Sequence, residues 1–455
     1  MRIINPANES LISEIPDDSR DSVEAKYRLL KEGQQDWARV PLDERIACID
    51  RFSRLLDEES KELAATLTQE MGKPLKQSLN ELQGARERIR FFAEHSARWL
   101  SEEWIIREAP TQEKISFDPL GVVANISAWN YPYLVGVNVF VPALLGGNAL
   151  LYKPSEYASL TGLHLGRLLE AAGIPRNCFQ VVIGGAAAGQ FLLDLPLNGY
   201  FFTGSHKTGQ YLARAIAGRM VPCQLELGGK DPLYVMDDVE DLEKTAAAVW
   251  EGVVYNNGQS CCAVERVYAQ EGIFDRFVNC MAAQARQMSI GDPMEPSTDI
   301  GPLSRKAQVD FLLRQIGQAV TEGARILAGG KALPGPGYWI QPTILIDVNQ
   351  EMNIMREESF GPVIGVQKVK DDQEAVERML DTEYGLTAAV YSKNFERAEA
   401  VMRQMNTGTV YWNCCDRVSA SLPWSGRKHS GMGTTLSYQG IRAFVQPKAW
   451  HIRPH

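Results

Sequence analysis

Between residues 149 and 227 the chain changes its hydrophobic period again and again, from two to three-and-a-half and back. ALLYKPSE reads as a strand and turn, and SLTGLHLGRLLEAAG as a helix stopped at Gly173. FQVVIGG, AAAGQFLLDL, GYFFTGS and HKTGQYLARAIAG then read as strand, helix, strand and helix. Such returns bury both faces of a sheet, so the expected class is α/β with a parallel, doubly wound sheet. A second α/β stretch starts near Gly228, with DPLYVM and RVYAQ as strands and DLEKTAAAVWEGVVY as a helix. Upstream, residues 21 to 104 read as helices with apolar residues such as Leu55, Leu56, Leu63 and Leu67 on one face, punctuated by Gly72-Lys73-Pro74. Residues 107 to 127 alternate like strands. With 455 residues the chain exceeds one ordinary core, so two or three domains are expected, and no low-complexity linker separates them.

Composition narrows the function classes. The net charge of −9 offers no basic excess for phosphate backbones, so no nucleic-acid partner is expected. Eight cysteines are scattered without a CxxC or a His-rich tract, so neither a metal site nor a disulfide scaffold is expected, and a reducing cytoplasm fits. The opening MRIINPANESLISEIP lacks the apolar core of a signal peptide. No charge occurs between Asp118 and Lys153, long enough for a bilayer, yet Asn125, Asn130, Asn138, Asn148, Pro132, Pro142 and Gly146-Gly147 interrupt it. A buried strand, loop, helix and strand describe that stretch better than a membrane span.

Four places carry candidate chemistry. Gly204-Ser205 joins a strand to a helix, where a glycine and free helical N–H groups suit a phosphate; a plain strand-to-helix turn explains it as well, since the spacing is not GxGxxG. Lys153 and Glu156 in KPSE suit ribose hydroxyls, or are a solvated loop pair. Glu226 lies between Leu225 and Leu227; an apolar setting would raise its pKa toward that of a general base. By alternation alone it is as well read as an exposed glutamate sharing a face with Gln224. YNNGQSCCAVE places Cys261 and Cys262 side by side after a turn-prone run, either a nucleophilic thiol or small buried apolar residues. None of the six histidines is next to them, so no local Cys–His pair is suggested.

Taken in order, INPANE, EMGKP, AWNYP, KPSE, FTGSHKTG, LELGGKDP, NNGQSCCA, EESFGP and LPWSGRKHSG resemble the NAD(P)-dependent aldehyde dehydrogenase superfamily over nearly the whole chain. One departure is Ala128, where the family often has proline. The resemblance implies Cys261 as nucleophile, Glu226 as general base and Asn130 as oxyanion-hole amide. It implies cofactor contacts at Trp129, Lys153, Glu156, Gly204, Ser205, Gln308, Glu358 and Phe360. It also implies NAD, with NADP possible because family members with a glutamate at 156 accept both, and a hydrolytic rather than coenzyme A-dependent release. The architecture so implied is a Rossmann-type cofactor domain at 1–100 and 120–227, an α/β catalytic domain at 228–429, and a small β oligomerisation element at 101–119 and 430–455. A homodimer or homotetramer is the implied assembly.

The substrate rests on fewer residues. Tyr131, Tyr255 and Trp424 fall where the family surrounds the aldehyde, and three ring faces would attract an amino- or betaine-type cation. They would equally line a slot for apolar or aromatic aldehydes. Arg417, beside Asp416 in NCCDRVSASLPW, would hold a carboxylate if it faces inward, which would fit a semialdehyde such as succinate semialdehyde. A generalist aldehyde dehydrogenase is a further expectation. Outside redox chemistry stand a Cys-dependent hydrolase and a non-catalytic binding protein, and nothing structural requires Asn130, Glu226 and Cys261 together.

Overall fold

The computed structural model describes residues 1–108 and 110–453. The alternation from 149 to 227 folds as expected into one six-stranded sheet. Its order is Gly431–Met432, Cys223–Glu226, Gly199–Thr203, Val122–Ile126, Ala149–Lys153 and Phe179–Val181. All neighbours are parallel except Gly431–Met432, which runs antiparallel to Cys223–Glu226 and pairs Gly431 with Glu226. The uncharged stretch supplies two central strands and the buried helix Pro132–Leu145. No described helix is long and apolar enough to cross a membrane.

The second stretch forms a seven-stranded sheet ordered Arg325–Ala328, Thr343–Ile346, Val363–Val369, Val264–Gln270, Asp231–Val235, Thr387–Tyr391 and Thr409–Trp412. Its strands are parallel except for Arg325–Ala328. Asp231–Val235 has every residue buried, as a strand covered on both faces must. The chain passes between the sheets at Leu227-Gly228-Gly229-Lys230, so the end of Cys223–Glu226 marks the seam.

Four helices, Arg20–Arg39, Leu42–Glu58, Ser60–Met71 and Leu75–Leu100, account for the periodic N-terminal stretch. The Gly72-Lys73-Pro74 punctuation holds: Gly72 ends a helix in the left-handed region (φ 81°), and a side chain there would meet the Pro302 carbonyl at 2.6 Å. A three-stranded antiparallel sheet pairs Val445–Ile452 with Gln112–Pro119 and that strand with Glu103–Ile106. The segment 430–455 therefore divides: Gly431–Met432 belongs to the six-stranded sheet and Val445–Ile452 to the three-stranded one. Residues 109, 454 and 455 of the expected oligomerisation element lie outside the described residues.

Candidate active site

The cysteine turn is built from its own amides. Asn256, Asn257 and Gly258 take left-handed backbone in succession (φ 56°, 57° and 71°), a run that asparagine and glycine tolerate best. Gly258 has no room for a side chain, since a Cβ would lie 2.3 Å from the Gly361 carbonyl carbon. Asn257 Nδ2 donates to Gly72 O (3.1 Å) and Pro302 O (2.9 Å), while its Oδ1 accepts from Gly301 N (2.9 Å). Asn256 Nδ2 donates to Gln259 O (2.9 Å), and Gln259 Oε1 accepts from Ser304 N (3.0 Å). These three amides are fully buried, so the turn is fixed before any ligand arrives.

The turn separates the two thiols. Cys261 is partly exposed and lines a cavity of about 580 Å³ at the seam of the two sheets. Cys262 is buried, and its Sγ donates to Asp416 Oδ1 at 3.0 Å. The adjoining Cys261, burial and the Asp416 carboxylate all push the Cys262 thiol well above its ordinary range. Cys262 is therefore held as a neutral thiol, and Cys261 is the one presented to the cavity.

Asn130 and Glu226 line the same cavity. One Asn130 side-chain N–H goes to Gln259 O (3.1 Å), which orients the amide and leaves its other N–H for a ligand. Among the described residues no backbone acceptor takes the Cys261 N–H. Glu226 is only 8% exposed, and Gly431–Met432 pairs along the outer edge of its strand. The exposed-glutamate alternative thus fails: Gln224 shares its face, and both are buried. Burial pushes Glu226 up to about 8, and its Oε2 has no hydrogen-bond partner. Gln224 is satisfied with its nitrogen donating to Thr434 O and its oxygen accepting from Thr435 N, both at 3.3 Å. In that orientation it gives Glu226 no donor.

The expected cofactor residues Trp129, Lys153, Glu156, Gly204, Ser205, Gln308, Glu358 and Phe360 all line this one cavity. Ser205 caps the helix His206–Ile216, whose free N–H end faces the cleft. Lys153 is 5% exposed and its Nζ bonds only Pro154 O (3.1 Å), leaving donors for a ligand. Glu358 lies against Gly228-Gly229: its Oε1 accepts from Gly229 N (3.0 Å), and a Cβ at Gly228 would strike it at 2.1 Å. The Phe360 ring stands edge-on to Trp129 at 5.4 Å. Lining the other wall, Gly185 has open space where a Cβ would stand. An elongated cleft with a helix N-terminus, buried lysine, two carboxylates and aromatic walls fits a nicotinamide dinucleotide.

A family model described as "Aldehyde dehydrogenase family" matches residues 1–450. The chain belongs to the aldehyde dehydrogenase family. It is 35% identical to aminoaldehyde dehydrogenase 1, peroxisomal, of Pisum sativum, covering 98% of this chain and 91% of that one. It matches a solved 3,6-anhydro-L-galactose dehydrogenase "in Complex with NAP" at TM-score 0.95 and 33% identity, covering 99% and 96%. An indole-3-acetaldehyde dehydrogenase "complexed with NAD+" matches at TM-score 0.96 and 30% identity, covering 100% and 93%. This aldehyde dehydrogenase is accordingly an NAD(P)-dependent oxidoreductase. Those relatives act on three unlike aldehydes at similar identity, so resemblance does not choose the substrate.

The expected aldehyde-side residues stand apart from the cofactor residues. Tyr131, Tyr255, Trp424 and Arg417 are absent from the lining of the cavity that holds Cys261. One face of Tyr131 already carries the Lys73 ammonium, 4.2 Å from the ring centroid. The Tyr255 hydroxyl accepts from Asn80 Nδ2 at 3.3 Å. Trp424 is buried and hydrogen-bonded through its backbone to Thr435, on the Glu226 side. Arg417 is exposed, and its carbonyl is held by the Tyr411 hydroxyl, so the condition for an inward carboxylate clamp is not met.

Several residues that support the dehydrogenase site escaped the sequence reading. Lys73 and Glu81 form a fully buried ion pair at 2.5 Å; Lys73 Nζ also donates to Asn130 O (2.6 Å) and Glu81 accepts from Tyr133 N (2.8 Å). Lys230 and Glu265 form a second, at 2.6 Å, and Glu265 uses its two oxygens to accept from Ser359 N and Phe360 N, each at 2.9 Å. That grip holds the turn at Phe360 in its left-handed conformation (φ 51°). The signal was faint: a lysine inside Gly-Lys-Pro reads as punctuation, and a glutamate in VERVYAQ reads as the polar side of a strand.

Proposed function

We propose that the enzyme oxidises an aldehyde to a carboxylic acid through a thiohemiacetal and then a thioester on Cys261, released by water that Glu226 deprotonates. The observation that carries this reading is the buried Glu226 carboxyl, with its Oε2 unpartnered, in the cavity that Cys261 enters, poised near pH 8. The Cys261 thiolate attacks the aldehyde carbon. Asn130 Nδ2 and the Cys261 N–H face the developing oxyanion, each donor worth about 3 kcal/mol in a site that excludes water. When bound, nicotinamide would supply the acceptor for the hydride of the thiohemiacetal carbon. Glu358 and Phe360 would position it, and Glu156 and Lys153 would hold the adenosine ribose. The carboxylate of Glu226 then takes a proton from water, which attacks the thioester and frees Cys261.

The aldehyde we favour carries an amino or other cationic group. Asp416 supports this choice. Its Oδ1 accepts from Cys262 Sγ and from Ser260 Oγ (3.1 Å), and no described cation pairs with the carboxylate within 4 Å. Its charge is felt at both Tyr131 and Tyr255, whose hydroxyls burial already pushes up. Burial raises Asp416 itself to about 6, so it remains largely ionised at neutral pH. A carboxylate beside two aromatic rings suits an ammonium ion. The test is a panel of kcat/KM values on an aminoaldehyde, a betaine aldehyde, succinate semialdehyde and a plain aliphatic aldehyde. Asp416→Asn should cost about tenfold on the aminoaldehyde alone; an equal loss on the aliphatic aldehyde would sink the choice.

We also read the chain as cytoplasmic, on its eight free cysteines, and as a homodimer or homotetramer. For the assembly the support is the exposed edge strand Val445–Ile452, which presents unpaired backbone groups. The seam at 227/228 supports the division into cofactor and catalytic domains.

A further inference from the structure

One cation that lines the cofactor cleft, Arg305, has no role assigned above. Its guanidinium carbon is 5.6 Å from the Tyr157 ring, next in the chain to Glu156 at the adenosine-ribose end. It is also 5.4 Å from the Trp129 ring, which packs on Phe360 at the nicotinamide end. Its Nη2 donates to Gln308 Oε1 (3.0 Å), and Gln308 Nε2 in turn donates to Ser359 O (2.5 Å). One arginine thus touches the neighbours of both ribose sites.

Its charge is unanswered. No described carboxylate pairs with Arg305 within 4 Å, and its Nε is buried with no acceptor. It is also the N-cap of the 16-residue helix Lys306–Thr321, whose first turn holds no acidic residue and begins with a lysine. A cation at the positive end of a helix dipole, half-buried and unpaired, is unfavourable until an anion joins it. The group that links two riboses is a diphosphate with two negative charges.

We propose that Arg305 binds the diphosphate of the dinucleotide together with the Ser205 helix N-terminus, which lines the same cavity. Packed between Trp129 and Tyr157, the planar guanidinium is pre-oriented to offer two N–H groups to phosphate oxygens. The proposal rests on the assignment of the two ribose ends given above.

The test measures dissociation constants of NADH, NADPH and ADP-ribose for the parent enzyme and for Arg305→Met, Arg305→Lys and Glu156→Ala. Arg305→Met keeps the apolar stem on both rings and removes the charge. It should weaken all three ligands by about tenfold or more in equal proportion and flatten the dependence of affinity on salt. Arg305→Lys should recover part of the affinity and the salt dependence; it carries the test if the Met variant does not fold. Unchanged NADH affinity in Arg305→Met, or a Lys variant without salt dependence, would overturn the proposal. A loss for NADPH far beyond that for NADH would also overturn it, placing Arg305 at the 2′-phosphate instead. Glu156→Ala separates the two assumptions. If it weakens NADH and Arg305→Met does not, Arg305 alone is misassigned; if neither does, the ribose assignment is wrong.

Discussion

The two sides of Cys261 differ in how they are made. On the dinucleotide side, eight residues spread from 129 to 360 converge on one cavity, and most are fixed by backbone hydrogen bonds or buried ion pairs. On the aldehyde side, Tyr131, Tyr255 and Trp424 point to separate neighbours, and Arg417 faces outward. The cofactor is a nicotinamide dinucleotide throughout such a family, so its cleft is specified by strand ends and helix starts that the fold itself supplies. The aldehyde varies, and it meets side chains on loops, where a change costs the fold little.

The sharpest division runs between the two adjacent cysteines, one partly exposed in the cavity and one buried against Asp416. Cys261→Ser should abolish NADH formation, by about four orders of magnitude or more, because a hydroxyl with no base beside it is a poor nucleophile. Cys262→Ser should stay within about threefold, since serine also donates to Asp416 Oδ1. Absorbance at 340 nm with any turned-over aldehyde checks both. A dead Cys262→Ser beside a live Cys261→Ser would reverse the assignment of the two thiols.

Glu226 sits where both sides meet, and its effect should be next in size. Glu226→Gln should lower steady-state turnover by about 10²- to 10³-fold. A single burst of NADH per active site should survive, because hydride leaves before water is needed. A slow turnover with no burst would place Glu226 in acylation instead. In the parent enzyme the base works as a carboxylate, and burial sets its pKa at about 8. Hydrolysis should therefore rise with pH through about 8 and fall about tenfold per unit below it. Stability has the opposite sign. The folded pKa is raised above the unfolded value, so this group's contribution is fully present below about 4.5 and is lost as pH rises through about 8. Glu226→Gln should thus melt higher than the parent at pH 9 and about equally at pH 4.

The same contrast explains what could be read from the sequence. Period changes located every strand of the six-stranded sheet except Gly431–Met432, a two-residue partner too short to leave a pattern. That short strand pairs beside Glu226, and alternation alone misjudged the exposure of the very residue the chemistry needs, which is buried. The order of motifs named the cleft residues because each stands at a strand end or a helix start. Lys73, Glu81, Lys230, Glu265 and Arg305 were not legible, since each acts through partners that lie from eight to some 180 residues away in the chain. The surroundings of the aromatic residues were illegible for a related reason: ring spacing in sequence says nothing of which ring face is already taken, and Lys73 takes one face of Tyr131.

The smallest expected effect tests whether the outward side is as idle as it looks. Arg417 is exposed, and only its backbone carbonyl, held by the Tyr411 hydroxyl, is tied to the fold. Removing an exposed guanidinium gives up little, because water screens it and no buried group loses a partner. Arg417→Ala should therefore change kcat/KM for a neutral aldehyde by less than about twofold. On a cationic aldehyde it should give a slight gain, since the charge that opposes Asp416 is removed. A loss of tenfold or more on succinate semialdehyde, with other aldehydes unaffected, would mean that Arg417 swings inward when an anionic substrate arrives. The carboxylate clamp would then return, and the aldehyde side would be formed by its ligand while the dinucleotide side is formed in advance.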